Sequence, residues 1–265
     1  MRFVILVALV SGLVIGVGGV QAQDTCTFDV TSGDWDVDLN WDCGIVFGHE
    51  PTAADRAVIP NGKTCNIDSV AFADSLKVEG TATLNIEGAS GNSLTLDGDD
   101  NGSTIDGTLN LQGSNSVLAF VDNSQTIDGL FGKIIGQDAA AEITVAFTLT
   151  LTSETTIEGA LKITGDGNFT NGGLVHANTS GPLEVSTLFI DDDNSTGGFW
   201  RVTTSSSAVL HLAAQDASFQ TLGGSFRIET GTLTVDAPGF VTTGNMTMTG
   251  GAIEVAANAM ALFKW

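Results

Sequence analysis

The sequence has few basic residues: nine lysines and arginines stand against 31 aspartates and glutamates. One of the nine, Arg2, lies in the first 22 residues, which carry no acidic residue. Beyond that segment the chain has eight basic residues and 31 acidic ones, a formal charge of −23. Such a surface repels nucleic acid and anionic membranes, although it attracts divalent cations. We therefore expect neither nucleic acid nor a membrane surface as a partner.

Cysteine is also scarce, with Cys26, Cys43 and Cys65 as the three in the chain. The odd number leaves at least one thiol free or bonded to another chain. We prefer a disulfide between Cys26 and Cys43, which closes a short loop, and a bond from Cys43 to Cys65 is the alternative. Zinc is disfavoured because no Cys-x-x-Cys pair occurs and His49 is the only nearby histidine.

Proline and helical periodicity are scarce as well. The chain has four prolines, so predicted strands are largely unbroken. Beyond the first 22 residues, no stretch has the apolar stripe that is typical of an amphipathic helix. These absences favour an all-β protein.

The first 22 residues predict a secretory signal peptide. Arg2 precedes a long apolar run, which ends in Val20-Gln21-Ala22 before polar sequence begins. This arrangement is typical of a signal peptide cleaved after Ala22, and an uncleaved membrane anchor is the alternative. We expect a secreted or cell-surface protein, in which disulfides are permitted.

Short repeated motifs predict a solenoid. A glycine followed by alternating apolar residues recurs along the chain, and Thr-Ile-(Asp/Glu)-Gly occurs three times; three pairs of these glycines are spaced 20 or 22 residues apart. Segments in which apolar and polar residues alternate predict strands, and the clusters of Gly, Asn, Asp and Ser between them predict tight turns. We therefore predict a right-handed parallel β-helix with two or three strands per coil and about nine coils. A β-sandwich is the alternative. The glycines with these spacings are Gly107 and Gly129, Gly159 and Gly181, and Gly231 and Gly251.

The segment before the repeats differs from the rest of the chain. Residues 32–43 read SGDWDVDLNWDC and hold Trp35 and Trp41, and Pro51 and Asp55 follow. Because the first coil of a solenoid exposes its core and unpaired backbone, these residues are predicted to form a cap. We assign 1–22 to the signal peptide, 23–65 to the cap and first coil, and 66–265 to β-helix repeats.

The same segment resembles the start of secreted bacterial surface proteins with parallel β-helix repeats. Those proteins begin with two spaced tryptophans, continue with a proline, an aspartate and an Ile-Pro-x-Gly turn, and then enter the repeats. The resemblance implies an exported adhesin-like, cell-surface or matrix component, and it implies no particular activity. The matching residues here are Trp35, Trp41, Pro51, Asp55, Val58, Ile59, Pro60, Gly62, Leu76, Val78, Gly80, Leu84 and Ile86.

Pectin-degrading enzymes also use β-helices, so the alternative function is a polysaccharide-active lyase or glycoside hydrolase. Residues 191–193 are three aspartates, which could supply an acid and a base. The Gly-His-Gly and Arg-Ile-Lys signatures of those hydrolases are missing, since His176 lies in Val-His-Ala and Arg227-Ile228 precedes Glu229. No arginine beyond the signal peptide neighbours a second basic residue in sequence. We therefore expect a protein that is not an enzyme.

Two acidic loops suggest calcium as a cofactor, and no cofactor is the alternative. The first loop matches the start of an EF-hand loop, although Thr108 stands where a bidentate glutamate is needed. Turn-forming aspartate and asparagine are also common without metal. The candidate ligands are Asp97, Asp99 and Asn101 in the first loop and Asp191 and Asp193 in the second.

Phe199 and Trp200, beside the second acidic loop, are predicted to be exposed aromatics that contact surface glycans or proteins, and packing of Trp200 against its own coil is the alternative. Pairs of threonines such as Thr148 and Thr150 suggest ice binding as a third class, but they do not recur in every coil. The predicted function is therefore a non-catalytic exported structural or adhesin-like β-helix protein. Since the sequence ends without a polar cap, one expectation is that it is part of a longer chain.

Overall fold

A computed structural model describes residues 24–44, 46–88, 91–98, 102–192, 198–203, 205–216, 220–242, 244–257 and 259–264. The predicted signal peptide lies outside these ranges. Strands make up 57 % of the structure, and the described residues contain one turn of 3-10 helix, Asp38–Asn40, but no α-helix. None of their helical structure is long and apolar enough to span a bilayer.

The strands in chain order are β1 Thr25–Phe28, β2 Ser32–Asp34, β3 Trp41–Cys43, β4 Val46–Phe47, β5 Arg56–Ile59, β6 Thr64–Ile67, β7 Val70–Ala73, β8 Ser75–Val78, β9 Thr83–Ile86, β10 Ser93–Leu96, β11 Ser103–Ile105, β12 Thr108–Leu111, β13 Val117–Phe120, β14 Gln125–Asp128, β15 Lys133–Val145, β16 Thr148–Leu151, β17 Thr156–Asn171, β18 Leu174–Ala177, β19 Pro182–Asp192, β20 Phe199–Val202, β21 Val209–Leu212, β22 Gln220–Leu222, β23 Ser225–Ile228, β24 Thr232–Val235, β25 Phe240–Thr242, β26 Met246–Met248, β27 Ala252–Val255 and β28 Ala261–Leu262.

These strands wind into a parallel β-solenoid of about 8 turns, with three strands in each coil. Sheet A stacks β1, β5, β8, β11, β14, β16 and the ends of β17 and β19, and the three-stranded sheet β22-β25-β28 follows it. Sheet B stacks β2, β6, β9, β12, the starts of β15 and β17, then β18, β20, β23 and β26. Sheet C stacks β7, β10, β13, the later part of β15, the middle of β17, the start of β19, β21, β24 and β27.

The alternation of apolar and polar residues produces the core. In most strands every second residue is buried, so each coil places its apolar side chains inside the solenoid. Parallel pairing brings equivalent residues of successive coils together as continuous ladders. In sheet B one ladder consists of Cys65, Leu84, Leu109, Ile134, Ile157, Val175, Trp200, Phe226 and Met246.

The predicted parallel β-helix is confirmed, and a sandwich of antiparallel sheets is excluded by the parallel registers. The coil length is more variable than the motifs indicated, because the turns differ in length. Ile157 and Val175 occupy equivalent positions 18 residues apart, whereas Trp200 and Phe226 lie 26 residues apart. The repeated glycines do not mark one place in the coil: Gly107 and Gly129 precede strands of sheet B, whereas the copies from Gly159 onwards precede strand segments of sheet C.

The segment before β5 covers the N-terminal end of the solenoid. Strands β1 and β2 add an incomplete coil in parallel with β5 and β6, and β3 then pairs antiparallel with the other side of β1. Trp35 and Trp41 are buried, with ring centroids 4.7 Å apart in an edge-to-face arrangement. The indole Nε1 of Trp41 donates to the Trp35 carbonyl oxygen at 2.8 Å. The segment therefore closes both a backbone edge and the end of the core.

The remaining cap residues fix the chain around these tryptophans. Cys26 and Cys43, the pair preferred from the sequence, are joined by a disulfide. Pro51 is buried, and the Asp55 carboxylate accepts hydrogen bonds from both the backbone N–H and the hydroxyl of Thr52, at 2.9 and 2.6 Å. Cys65 is a free, buried thiol whose pKa is raised by burial and by the nearby Asp34 carboxylate, so it is held protonated.

Candidate binding groove on sheet B

A column of charged side chains runs along the outer face of sheet B, where the strands expose every second residue. Glu158, His176, Arg201 and Arg227 occupy the same outward position in four successive coils. Neighbouring strands of a sheet lie about 4.8 Å apart, so each side chain lies next to the one in the following coil. The parallel register therefore brings together residues that lie up to 69 positions apart in sequence.

Two arginines form the end of this column. Glu229 Oε1 accepts a hydrogen bond from Arg201 Nη2 at 3.0 Å and forms an ion pair with Arg227 Nε at 2.6 Å. The side chains of Arg201 and Arg227 remain 38 % and 59 % exposed. A shared carboxylate thus orients two guanidinium groups that still face solvent, and the three residues together carry one net positive charge.

The arginines line a groove with a volume of about 420 Å³ that crosses β18, β20, β23 and β26. Phe199 lies in the groove and is 56 % exposed, beside its register partner Leu174 on the neighbouring strand. Beneath it, the Trp200 and Phe226 rings are buried and stack with centroids 5.9 Å apart. The polar side chains that complete the lining are those of Ser225, Asn245 and Thr247.

The expectation that Phe199 and Trp200 are both exposed is wrong for Trp200, which is 1 % exposed. Adjacent residues of a strand point to opposite faces, so Phe199 faces the groove while Trp200 enters the core. The arginine pair is not apparent from neighbours along the chain, because Arg201 and Arg227 lie 26 positions apart in sequence. The signal was present in the near-repeat of GGFWRV, residues 197–202, and GGSFRI, residues 223–228.

A second polar cluster lies beside the groove, two coils earlier. The Glu158 carboxylate contacts Lys133 Nζ at 2.9 Å and Asn178 Nδ2 at 3.2 Å, and it lies 3.7 Å from His176 Nδ1. Interaction with the His176 ring, and then with Lys133, lowers the pKa of Glu158 to about 2, although partial burial acts in the opposite direction. His176 Nε2 in turn is 2.7 Å from the Thr203 hydroxyl.

The order hydroxyl, imidazole and carboxylate in this cluster is that of a hydrolytic triad, but its geometry is unsuited to nucleophilic attack by Thr203. Thr203 is 1 % exposed, so a substrate carbonyl cannot approach its hydroxyl. The contact from His176 to Glu158 is longer than a hydrogen bond at 3.7 Å. The cluster therefore does not form a hydrolytic triad.

Metal ligands converge poorly in the described part of the chain. There, the one set of His, Cys, Asp and Glu side chains close enough to share an ion is Cys26, Cys43 and His49. The disulfide occupies both sulfurs, so this set cannot hold zinc while the bond is intact. Of the predicted calcium ligands, Asp97 follows β10 and Asp191 lies in β19, whereas Asp99, Asn101 and Asp193 lie outside the described residues. The calcium prediction stays a prediction.

Comparison with known proteins adds no assignment to this groove. No family model matches the chain, and neither curated proteins nor solved structures include a match. A functional assignment of the groove therefore depends on the chemistry of its own residues.

Proposed function

We propose that this protein is a non-catalytic structural or adhesin-like β-helix that acts at the cell surface or in the extracellular matrix. The observation that carries the proposal is the composition of the groove on sheet B. Its lining combines two arginines, an exposed phenylalanine and neutral polar groups, and it contains no Asp, Glu, His, Lys or Cys side chain among the described residues. The Glu229 carboxylate beside the lining is engaged by both guanidinium groups, so the groove can hold a ligand but offers no free group suited to proton transfer near neutral pH.

Export is supported by features at the start of the chain. Residues 1–22 have the charge and apolar pattern of a signal peptide, and the Cys26–Cys43 disulfide suits an oxidising compartment. The surplus of acidic residues keeps the protein soluble and disfavours nucleic acid as a partner. A solenoid of about 8 turns also presents long lateral faces, which suit contact with extended polymers or other surface proteins.

Catalysis is the second candidate, since the Glu158 carboxylate and the His176 ring lie 3.7 Å apart beside the groove and could act as an acid and a base on a polysaccharide. A decisive experiment uses mature protein beginning at Gln23 and a panel of plant and bacterial polysaccharides. We expect retention of the protein on at least one polymer, with no new reducing ends and no unsaturated sugar product. Product release that disappears in His176→Ala but persists in His211→Ala would replace the proposal with an enzyme.

The location is tested separately. When the full chain is expressed in a bacterial host, we expect the exported product to begin at Gln23, as determined by intact mass. Retention of residues 1–22 with the protein inside the cell would contradict the exported role, whatever the outcome of the polysaccharide experiment.

A further inference from the structure

We infer that the groove on sheet B binds a saccharide that carries carboxylate groups, such as a polymer of uronic acid. In this assignment Arg201 and Arg227 bind sugar carboxylates and Phe199 packs against a sugar ring. The inference deepens the surface role proposed above by naming a ligand class, and it depends on that role only for the place where the ligand is met.

The arginine pair provides the charge recognition. Each guanidinium has five N–H donors, and Glu229 contacts one nitrogen of each residue, so several donors of both side chains are left for a ligand. Because Arg201 and Arg227 are register partners in adjacent strands, their spacing of about 4.8 Å lets both groups contact one carboxylate or two neighbouring ones. Glu229 holds the pair in place before the ligand arrives, which lowers the ordering cost of binding.

The charge of the whole molecule makes this patch distinctive. A chain with a formal charge near −23 repels an acidic polymer at a distance. At physiological ionic strength, however, charges separated by more than about 8 Å are largely screened. The local positive charge of the pair then governs contact, and acidic groups elsewhere on the surface restrict binding to this groove.

The residues of the groove other than the two arginines are uncharged, and they favour a saccharide over a peptide. An exposed aromatic ring suits the apolar face of a sugar, and Ser225, Asn245 and Thr247 offer partners for its hydroxyl groups. Peptides commonly bind a sheet by adding a strand to its edge. The described strands leave no such edge at this groove, since β20 pairs with β18 and β23, and β23 pairs with β20 and β26.

Calorimetric titration of the purified mature protein tests the inference with three probes. These are an oligomer of four galacturonic acid units, the same oligomer as its methyl ester, and a short polyglutamate. We expect the acidic oligomer to bind at least tenfold more tightly than the ester or the peptide. Arg201→Gln, Arg227→Gln and Phe199→Ala should each weaken that binding by at least tenfold.

Matched variants exclude general effects of charge and hydrophobicity. Lys63→Gln removes one positive charge from the first coil, and Phe72→Ala removes an exposed aromatic from sheet C, so neither should change binding. Circular dichroism and the melting temperature check that each variant is folded. If Arg227→Gln does not fold, Arg227→Lys replaces it, because lysine keeps the positive charge. Partial loss in Arg227→Lys is expected because an ammonium lacks the planar pair of donors.

Each remaining outcome is decisive. Equal affinity for acid and ester, or unchanged affinity in the Arg227 variants, would overturn the inference, and tighter binding of polyglutamate would assign the groove to acidic peptides. If the protein is correctly exported but binds none of the probes, the proposed ligand class is rejected while the proposed surface role is not. Binding followed by cleavage of the oligomer rejects the non-catalytic role but keeps the groove.

Discussion

At the scale of single residues, the best-defined electrostatic contact is that of Glu158. This carboxylate is 14 % exposed and is surrounded by His176, Lys133 and Asn178, which bind its ionised form. Its pKa of about 2 in the folded protein lies below the ordinary value of 4.5. Since the folded pKa is the lower one, the ionised contact stabilises the protein above about pH 4.5 and is lost as the pH falls towards 2.

Replacement of Glu158 by Gln should therefore lower the free energy of unfolding at pH 7 by about 1–3 kcal/mol, a value below the full equivalent of the pKa shift. The difference in unfolding free energy between wild type and variant should shrink as the pH falls from 4.5 to 2, because Glu158 of the wild type becomes protonated and loses the same contact. Urea unfolding at a series of pH values measures both effects. Exposed Glu154 is the matched control, and Glu154→Gln should follow the wild-type curve within about 0.5 kcal/mol. A Glu158 variant with an unchanged pH dependence would contradict this account.

At the scale of elements, the cap segment before β5 has the clearest role. Antiparallel β3 covers the edge of β1, and Trp35 and Trp41 fill the end of the core. Trp35 Nε1 is buried without a hydrogen-bond partner among the described residues, so this indole contributes through its apolar area rather than through its polar atom. The unusual composition of this segment is thus explained by closure of the solenoid rather than by chemistry.

Replacement of Trp35 by Ala should lower the free energy of unfolding by about 3–5 kcal/mol, because it leaves a large cavity at the end of the core. Trp35→Phe should cost less, since it keeps most of the apolar area and removes an unpaired donor. Denaturant unfolding gives these values, with Leu39→Ala as a control in the same segment, because Leu39 is 85 % exposed. A loss below about 1 kcal/mol for Trp35→Ala would show that the core does not depend on the cap.

At the scale of the whole molecule, surplus negative charge opposes folding. Five of the eight basic residues beyond position 22 form ion pairs with carboxylates, while the acidic residues number 31. Compact folding brings the carboxylates together, and salt screens their mutual repulsion. The free energy of unfolding should consequently change more with ionic strength than with the loss of any single surface ion pair, because such pairs contribute little.

We expect the melting temperature to rise by about 2–6 °C when sodium chloride is increased from about 0.01 to 0.15 M. A fall in melting temperature over this range would show that attractive pairs outweigh the repulsion. Calcium chloride at the same ionic strength tests the acidic loops at the same time. An increase well beyond that given by sodium would support the predicted calcium sites, and equal effects would argue against them.

The sequence by itself determined the local part of this structure. Alternation of apolar and polar residues specified strands with one buried face, turn residues separated them, and the position of Trp35 and Trp41 ahead of the repeats specified a cap. Such features depend on neighbouring residues, and their period can be read directly. Tertiary structure decided the rest, because turns of unequal length set which strands stack. The register between coils placed Arg201 beside Arg227, buried Trp200 while exposing Phe199, and so assembled the groove from residues that a linear reading keeps apart.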